Sequence, residues 1–193
     1  MTYRQWSGVA VLAVILGCTA SKVASRTSQA TLDELSPESS PGTKAVLSYN
    51  GQLVDVDLVH KREGSTETID LMRNGESLEH ETYVRTPHSF SLKEADEDQF
   101  DPPLPLLSAE AAAPWSGQLT SGGVSHAASA TVESSVDTLK GKTVQPATLV
   151  TVNLELDSGG AKKANRTLKF WLVRGKGVVE REFGMGVKRL PAE

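Results

Sequence analysis

The chain has 193 residues, with 20 Lys and Arg against 24 Asp and Glu, which gives a formal net charge of −4. Because nucleic-acid binding needs a basic surplus that this chain lacks, we expect no nucleic-acid partner. Cys18 is the only cysteine, so no disulfide can form within the chain. Its stability must therefore come from apolar burial and backbone pairing.

The first seventeen residues have the composition of an export signal. Arg4 precedes an apolar run over residues 6–16, which has the length of a signal-peptide core. This run is shorter than the roughly 20 residues that are needed to span a bilayer. Gly17 places a small residue before Cys18, as a signal peptidase requires. We therefore predict that residues 1–17 are a signal peptide.

The segment Ile15-Leu16-Gly17-Cys18 resembles the lipobox of bacterial lipoproteins. The resemblance implies that the Cys18 thiol receives a diacylglyceryl group and that Cys18 becomes the new N-terminus. Two or more acyl chains anchor a protein durably, since each buried methylene contributes about 0.8 kcal/mol. Thr19 is not the Asp that often retains lipoproteins in the inner membrane, which favours the outer membrane in a two-membrane cell. The alternatives are an ordinary cleaved signal peptide with a chance cysteine, or a short uncleaved anchor.

Residues 18–43 are rich in Ser, Thr, Ala and Pro and show no apolar periodicity. Such a segment cannot bury enough surface to offset its ordering entropy, which predicts a flexible tether between the lipid and a folded domain. One helical turn is expected within it, over residues 32–35, because Thr31 can cap the turn and Glu34 follows three residues later.

From residue 44 the pattern changes to short runs of alternating polarity. Residues 66–72 and 78–85 are predicted to pair as a hairpin, because Asn74-Gly75 between them tolerates the positive φ of a two-residue turn. Residues 93–105 combine five acidic residues with three prolines, which predicts a loop. The two halves could be separate subdomains divided near residues 93–114, but we favour one continuous sheet.

The same alternation of polarity recurs through the second half of the chain, where Gly-rich turns separate the alternating runs. Further strands are predicted over residues 54–58, 115–119, 128–137, 149–157, 167–173 and 178–183. No helical period lies between them, so a parallel sheet is not expected. We predict a mainly β domain over residues 44–190, a twisted antiparallel meander that is open or curled into a partial barrel.

A second resemblance covers residues 115–184. The segment that opens on Trp115-Ser-Gly and ends on the Trp-Leu-Val-Arg-Gly-Lys-Gly hairpin at residues 171–177 is similar to bacterial envelope proteins with a LolA/LolB-like curved antiparallel sheet. The family packs helices into the concave face of that sheet. The sequence offers no amphipathic helix to match.

The sequence contains no pattern typical of catalysis or metal binding. There is no Gly-x-Ser-x-Gly elbow, and no His-x-His or His-x-x-x-His pair occurs among His60, His80, His88 and His126. Glu79-His80-Glu81 is typical of a polar strand edge. The acids at residues 94–101 indicate a solvated loop more than a calcium site. We therefore expect no catalytic residues, no metal and no cofactor.

An open curved sheet must cover its apolar face. A partner envelope protein, a second copy or a lipid-like ligand is expected to do so, on a face that includes Val150, Val152, Leu154, Phe170 and Leu172. The alternative is that these residues fill the domain's own core.

Taken with the lipobox, these patterns predict an envelope lipoprotein that contacts the membrane through lipid on Cys18 and acts as a non-enzymatic binding or assembly module. An extracytoplasmic hydrolase and a carrier of a lipid-like ligand are the alternatives.

Overall fold

A computed structural model describes residues 32, 34–35, 44–110, 113–140, 144–157, 163–184 and 186–191. The predicted signal peptide, Cys18 and most of the predicted tether lie outside these residues. The described chain forms twelve strands: β1 (Lys44–Tyr49), β2 (Gln52–Glu63), β3 (Thr66–Arg73), β4 (Glu76–Arg85), β5 (Ser89–Ala95), β6 (Asp98–Ser108), β7 (Trp115–Ser121), β8 (Val124–Lys140), β9 (Val144–Asp157), β10 (Ala164–Val173), β11 (Gly177–Glu182) and β12 (Val187–Pro191).

Each strand pairs antiparallel with the next strand in the chain, and β12 returns to pair with β1, so the sheet is a closed barrel. Leu47 faces Arg189 across the closing ladder. The predicted antiparallel meander is confirmed, and so is the mainly β class. The barrel closes fully because β1 and β12, which the polarity pattern did not reveal, supply the last pairing.

The hairpin predicted at Asn74-Gly75 is present. Both residues have positive φ, 53° and 85°, and the strands on either side pair from Thr66–Val84 to Arg73–Glu76. The short turn therefore fixes the register of β3 against β4.

The acidic, proline-containing segment is not a loop, and this prediction was wrong. It forms β5 and β6, which are joined by a tight turn at Asp96-Glu97. The prolines are tolerated because β6 pairs with β7 only over residues 98–101, before the first proline, and pairs with β5 through shifted registers. The strands on both sides of this segment belong to the same closed barrel.

The predicted contact face lies inside the barrel. Its five residues are at most 2% exposed and belong to the main apolar core: Val150, Val152, Leu154, Phe170 and Leu172. Closure of the sheet turns this face inward and covers it with the opposite strands. The alternative, that these residues fill the domain's own core, is therefore what the structure shows, and they offer no surface to a partner.

One stretch of the predicted tether packs against the barrel. Leu32 and Leu35 are helical, as predicted, and both belong to the apolar core. The Gly175 N–H donates to the carbonyl oxygen of Glu34 at 2.8 Å, and Arg174 Nη2 lies 2.6 Å from Glu34 Oε2. We call this end of the barrel, where β1 begins and β10 turns into β11, the plugged end. The opposite end, with the turns at residues 50–51 and 96–97 and the connection from β11 to β12, is the open end.

Candidate functional site

Four charged side chains meet inside the barrel and form what we call the interior ion cluster. Glu79 and Glu81 lie on β4, Arg181 on β11 and Arg189 on β12, and none is more than 4% exposed. Glu79 and Glu81 share the inner face because alternate residues of a strand point to the same side. Three strands separate β4 from β12 around the barrel, so these contacts cross its interior.

Arg181 joins the two carboxylates. Its Nε donates to Glu81 Oε1 at 2.5 Å, and its Nη2 donates to Glu79 Oε2. The hydroxyl of Tyr49 donates to the other oxygen of Glu79 at 2.6 Å. Glu79 is therefore held from both sides, by a guanidinium on β11 and a phenol on β1.

Arg189 and Tyr83 complete the environment of Glu81. Arg189 Nη1 and the Tyr83 hydroxyl both donate to Glu81 Oε2, at 3.0 and 2.7 Å. Arg189 Nη2 donates to the carbonyl oxygen of Val178 at 2.9 Å. Two buried donors, Arg181 Nη1 and Arg189 Nε, have no hydrogen-bond partner within the described residues, so the cluster keeps donor capacity for a further polar group.

The charges of the cluster balance. Burial opposes ionisation of Glu81, but Arg181 and Arg189 outweigh it and hold the pKa of this carboxyl below its ordinary value. Burial also opposes the charge on Arg181, but Glu81 and Glu79 raise the pKa of the guanidinium. Both shifts favour the charged forms of Glu81 and Arg181, so this ion pair persists at neutral pH.

Tyr49 and Tyr83 are hydrogen-bond donors to the carboxylates of the cluster. Burial and the neighbouring Glu79 raise the pKa of Tyr49, and burial and Glu81 raise the pKa of Tyr83. Both phenols therefore stay protonated throughout the physiological range, as their hydrogen bonds to carboxylates require.

A polar pocket of about 170 Å³ lies at the open end of the barrel, and we call it the open-end pocket. Its polar lining includes Tyr49, Glu79, Asp96, Glu97, Asp98 and Arg166. Glu79 belongs to both the pocket and the interior ion cluster, so the pocket opens onto the cluster. The site as a whole runs from the open end into the centre of the barrel.

The open-end pocket carries an excess of negative charge. Arg166 Nη1 lies 2.5 Å from Asp98 Oδ2, and its Nε donates to the carbonyl oxygen of Phe183 at 2.9 Å, so the one guanidinium in the lining is already paired. Burial raises the pKa of Asp96, and the nearby Glu79 and Glu97 raise it further. Such a field favours a cationic group over an anion or an acyl chain.

A separate hydrogen-bond chain lies on the outside of β3 and β4. Asp70 Oδ1 is 2.6 Å from His80 Nδ1, and His80 Nε2 is 2.9 Å from Thr82 Oγ1. This is the order acid, imidazole and hydroxyl found in nucleophilic catalysis. However, Thr82 is only 6% exposed, and none of the three residues lines the open-end pocket.

The other histidines lie apart from one another. His60 Nδ1 is 3.5 Å from Glu67 Oε1, His88 lies between β4 and β5, and His126 lies on β8. Within the described ranges, no three His, Cys, Asp or Glu residues are placed to hold a metal ion.

None of the helices in the described part of the chain has the length and apolarity to cross a membrane.

No protein-family model and no curated protein matches this chain. Solved structures do resemble it. A candidate lipoprotein from Parabacteroides distasonis is 10% identical, over 81% of this chain and 95% of its own, with a TM-score of 0.48. The hypothetical lipoprotein YmcC from Escherichia coli is 13% identical, over 88% of this chain and 91% of its own, with a TM-score of 0.44. A candidate exported protein with a YmcC-like fold from Bacteroides fragilis is 10% identical, over 81% of this chain and 96% of its own, with a TM-score of 0.44.

These likenesses have TM-scores below 0.5 and assign neither a family nor a function to this chain. The resemblance of residues 115–184 to LolA/LolB-like proteins stays a prediction. The functional argument depends on the residues of the chain itself.

Proposed function

We propose that this chain is a lipid-anchored protein of the cell envelope whose barrel is a non-enzymatic binding or assembly module. In this proposal, lipid on Cys18 anchors the protein, and in a cell with two membranes the protein is anchored in the outer membrane. The observation that carries the proposal is the separation of two features. Leu32 and Leu35 pack the N-terminal segment at the plugged end of the barrel, whereas the open-end pocket lies at the opposite end.

The point at which the N-terminal segment joins the barrel suggests its orientation, because Leu32, Glu34 and Leu35 contact the plugged end. Fourteen residues lead from Cys18 to Leu32, and a fully extended stretch of that length reaches at most about 50 Å. We propose that the plugged end, where this segment enters the barrel, is the end nearer to the membrane. The open-end pocket then faces away from the membrane, towards a soluble or envelope partner.

The chemistry of the pocket indicates what that partner presents. Four carboxyl side chains and one paired guanidinium line the pocket, which suits an ammonium or guanidinium group. A lipid-like ligand fits the barrel less well, because the interior holds packed apolar side chains and is crossed by the interior ion cluster. We therefore favour a basic group of a partner over an acyl chain as the ligand.

An extracytoplasmic hydrolase is the second candidate, and the Asp70–His80–Thr82 chain is the observation that favours it. If that chain were catalytic, Thr82→Ala and His80→Ala would both abolish hydrolysis of a p-nitrophenyl ester by the purified protein. We expect no turnover above background in the wild type. Turnover that both substitutions remove would favour the hydrolase.

The anchor is tested by fractionation of cells that express the wild type or Cys18→Ser. We expect the wild type in the membrane fraction and the Cys18→Ser chain in the soluble fraction, because the substitution removes the only thiol that can carry the lipid. Equal membrane association of both chains would contradict the anchor.

The pocket is tested by calorimetric titration with arginine amide as the probe. Asp96→Asn should weaken binding, because it removes a negative charge from the lining. The matched control is Asp55→Asn, at an exposed position of β2 outside the pocket, and it should leave binding unchanged. Equal binding by all three proteins would contradict a cation site at the open end.

A further inference from the structure

The hairpin of β8 and β9 reaches past the strands on either side of it. In the described part of the chain, the ladder of β7 on β8 ends at Ala130, and the ladder of β10 on β9 ends at Thr148. β8 and β9 still pair with each other beyond these points, to the end of β8. We call residues 133–140 and 144–147 of this hairpin the arm.

The arm and the N-terminal segment are held by the same turn, which leads from β10 into β11. The Gly175 N–H donates to the carbonyl oxygen of Glu34 at 2.8 Å. In the same turn, Lys176 Nζ donates to Oε1 of Gln145, in the arm, at 3.3 Å. The arm therefore lies at the plugged end of the barrel, beside the chain that leads to Cys18.

One face of the arm packs against β10. Leu139 and Ala147 are buried there in a small apolar cluster with Val173. Trp171 packs against the same cluster, and its Nε1 donates to Asp137 Oδ2 at 2.8 Å. These contacts give the arm a fixed position relative to the barrel.

The opposite face of the arm is apolar and exposed. Val136 is 90% exposed and Val144 is 73% exposed, the two highest values among the large apolar residues that the structure describes. Val136 is paired with Thr148, and Val144 and the exposed Pro146 lie at alternate positions before Thr148, so all three share one face. Single exposed apolar residues are ordinary, but a group on one face of a projecting hairpin indicates a contact surface.

The sequence of this hairpin is basic, although the chain as a whole is acidic. Residues 138–150 contain Lys140 and Lys142 and no acid, whereas the whole chain has a net charge of −4. The acid that precedes them, Asp137, pairs with Trp171 on the packed face. Lysines beside exposed apolar residues are typical of segments that lie on an anionic lipid surface.

We propose that the exposed face of the arm contacts the lipid surface in which Cys18 is anchored, with Val136, Val144 and Pro146 in the interfacial layer. This inference rests on the proposed lipid anchor and adds a second membrane contact to it. The second contact is effective even when it is weak, because the anchor keeps the arm at a high local concentration near the bilayer. Two contacts hold the barrel in one orientation, with the open-end pocket directed away from the membrane.

Fluorescence quenching in vesicles tests this contact. The acylated protein is reconstituted in vesicles of phosphatidylcholine and phosphatidylglycerol that contain a spin-labelled lipid. Val144→Cys carries an environment-sensitive fluorophore, and acylation of Cys18 leaves the new thiol as the only one that can be labelled. The matched control is Val124→Cys, which replaces another exposed valine, at the start of β8 and at the open end. We expect the lipid to quench the label at residue 144 and to leave the label at residue 124 unchanged.

A second substitution tests the role of the apolar face. In the labelled Val144→Cys protein, Val136→Glu should reduce the quenching, because a carboxylate resists transfer from water into an anionic lipid surface. Val124→Glu in the same protein is the matched control and should leave the quenching unchanged. Both positions are exposed, so far-ultraviolet circular dichroism should stay that of the wild type.

Flotation of the wild type with the vesicles measures the anchor separately. If the protein floats but the labels at residues 144 and 124 are quenched equally, or neither is quenched, the contact of the arm is overturned and the anchor stands. A blue shift at residue 144 without quenching also overturns the contact, because another protein or a second copy then covers the valines. A wild type that takes up label on Cys18 and does not float would overturn the anchor on which the inference rests.

Discussion

Removal of the charge of Glu81 is the sharpest test of the interior ion cluster. Glu81→Gln keeps the shape of the side chain but removes the carboxylate that pairs with both Arg181 and Arg189, so Glu79, which pairs with Arg181, is the one acid left in the cluster. Glu81 is fully buried and accepts hydrogen bonds from Arg181, Arg189 and Tyr83. Removal of one partner from a buried ion pair costs about 3–5 kcal/mol, because the opposite charge stays buried without compensation. We expect a loss of that size in the free energy of unfolding.

Urea unfolding followed by tryptophan fluorescence measures this loss. The matched control is Glu155→Gln, which removes an exposed carboxylate paired with Lys163 and should leave the unfolding midpoint nearly unchanged, since exposed pairs stabilise weakly. If Glu81→Gln lowered the free energy of unfolding by less than about 1 kcal/mol, the inference that the interior ion cluster depends on this charge would be refuted.

The pH dependence provides an independent check on the same group. The pKa of Glu81 is lower in the folded protein than in the unfolded chain. In an unfolded chain the pKa of a glutamate is about 4.3. Its contribution is therefore complete above about pH 4.3 and is lost as the pH falls through the lowered folded value. The stability gap between the wild type and Glu81→Gln should narrow in that acidic range, and a gap that is independent of pH would contradict the assignment.

Three further predictions concern packing and the open-end pocket. Gly117→Ala should cost about 1–3 kcal/mol in urea unfolding, because the new methyl group would overlap the carbonyl oxygen of Asp101 and Cδ of Pro102; unchanged stability would contradict this close approach. Leu35→Ala should cost about 2–5 kcal/mol and increase proteolysis before residue 44, whereas a wild-type digestion pattern would contradict the packed plug. Asp96→Asn should stabilise the barrel at neutral pH but not below about pH 4, because the raised pKa of Asp96 means that the folded state loses stability as this carboxyl ionises. Equal stability of the two proteins at every pH would contradict that prediction.

Local alternation of polarity was sufficient to predict most of the hairpins. The strands expected at residues 66–72 and 78–85 match β3 and β4 closely, because residues 66–72 alternate in polarity and the Asn74-Gly75 turn lies directly between the two strands. These features are properties of neighbouring residues and need no knowledge of the rest of the chain.

Closure of the barrel depends on contacts between distant residues. β1 and β12 pair across most of the chain, and both are short strands next to segments of irregular composition. The prolines of β6 indicated a loop because local rules exclude proline from a paired strand, but that part of β6 has no ladder with β7.

The interior ion cluster was missed because a polar residue was assumed to face water. Glu79-His80-Glu81 was interpreted as a polar edge, whereas the two glutamates face inward and only the histidine lies outside. One signal was present in the sequence. Two acids spaced by two residues, Glu79 and Glu81, precede Tyr83 at the alternate positions that share one face of a strand.

Intact-mass spectrometry of the protein purified from native membranes tests the central claim most directly. If lipid on one thiol holds the barrel at the membrane, the mass will be that of a chain that begins at Cys18 plus a diacylglyceryl group, with or without a further acyl chain. A chain that retains residues 1–17, or a Cys18 thiol that carries no lipid, would contradict it.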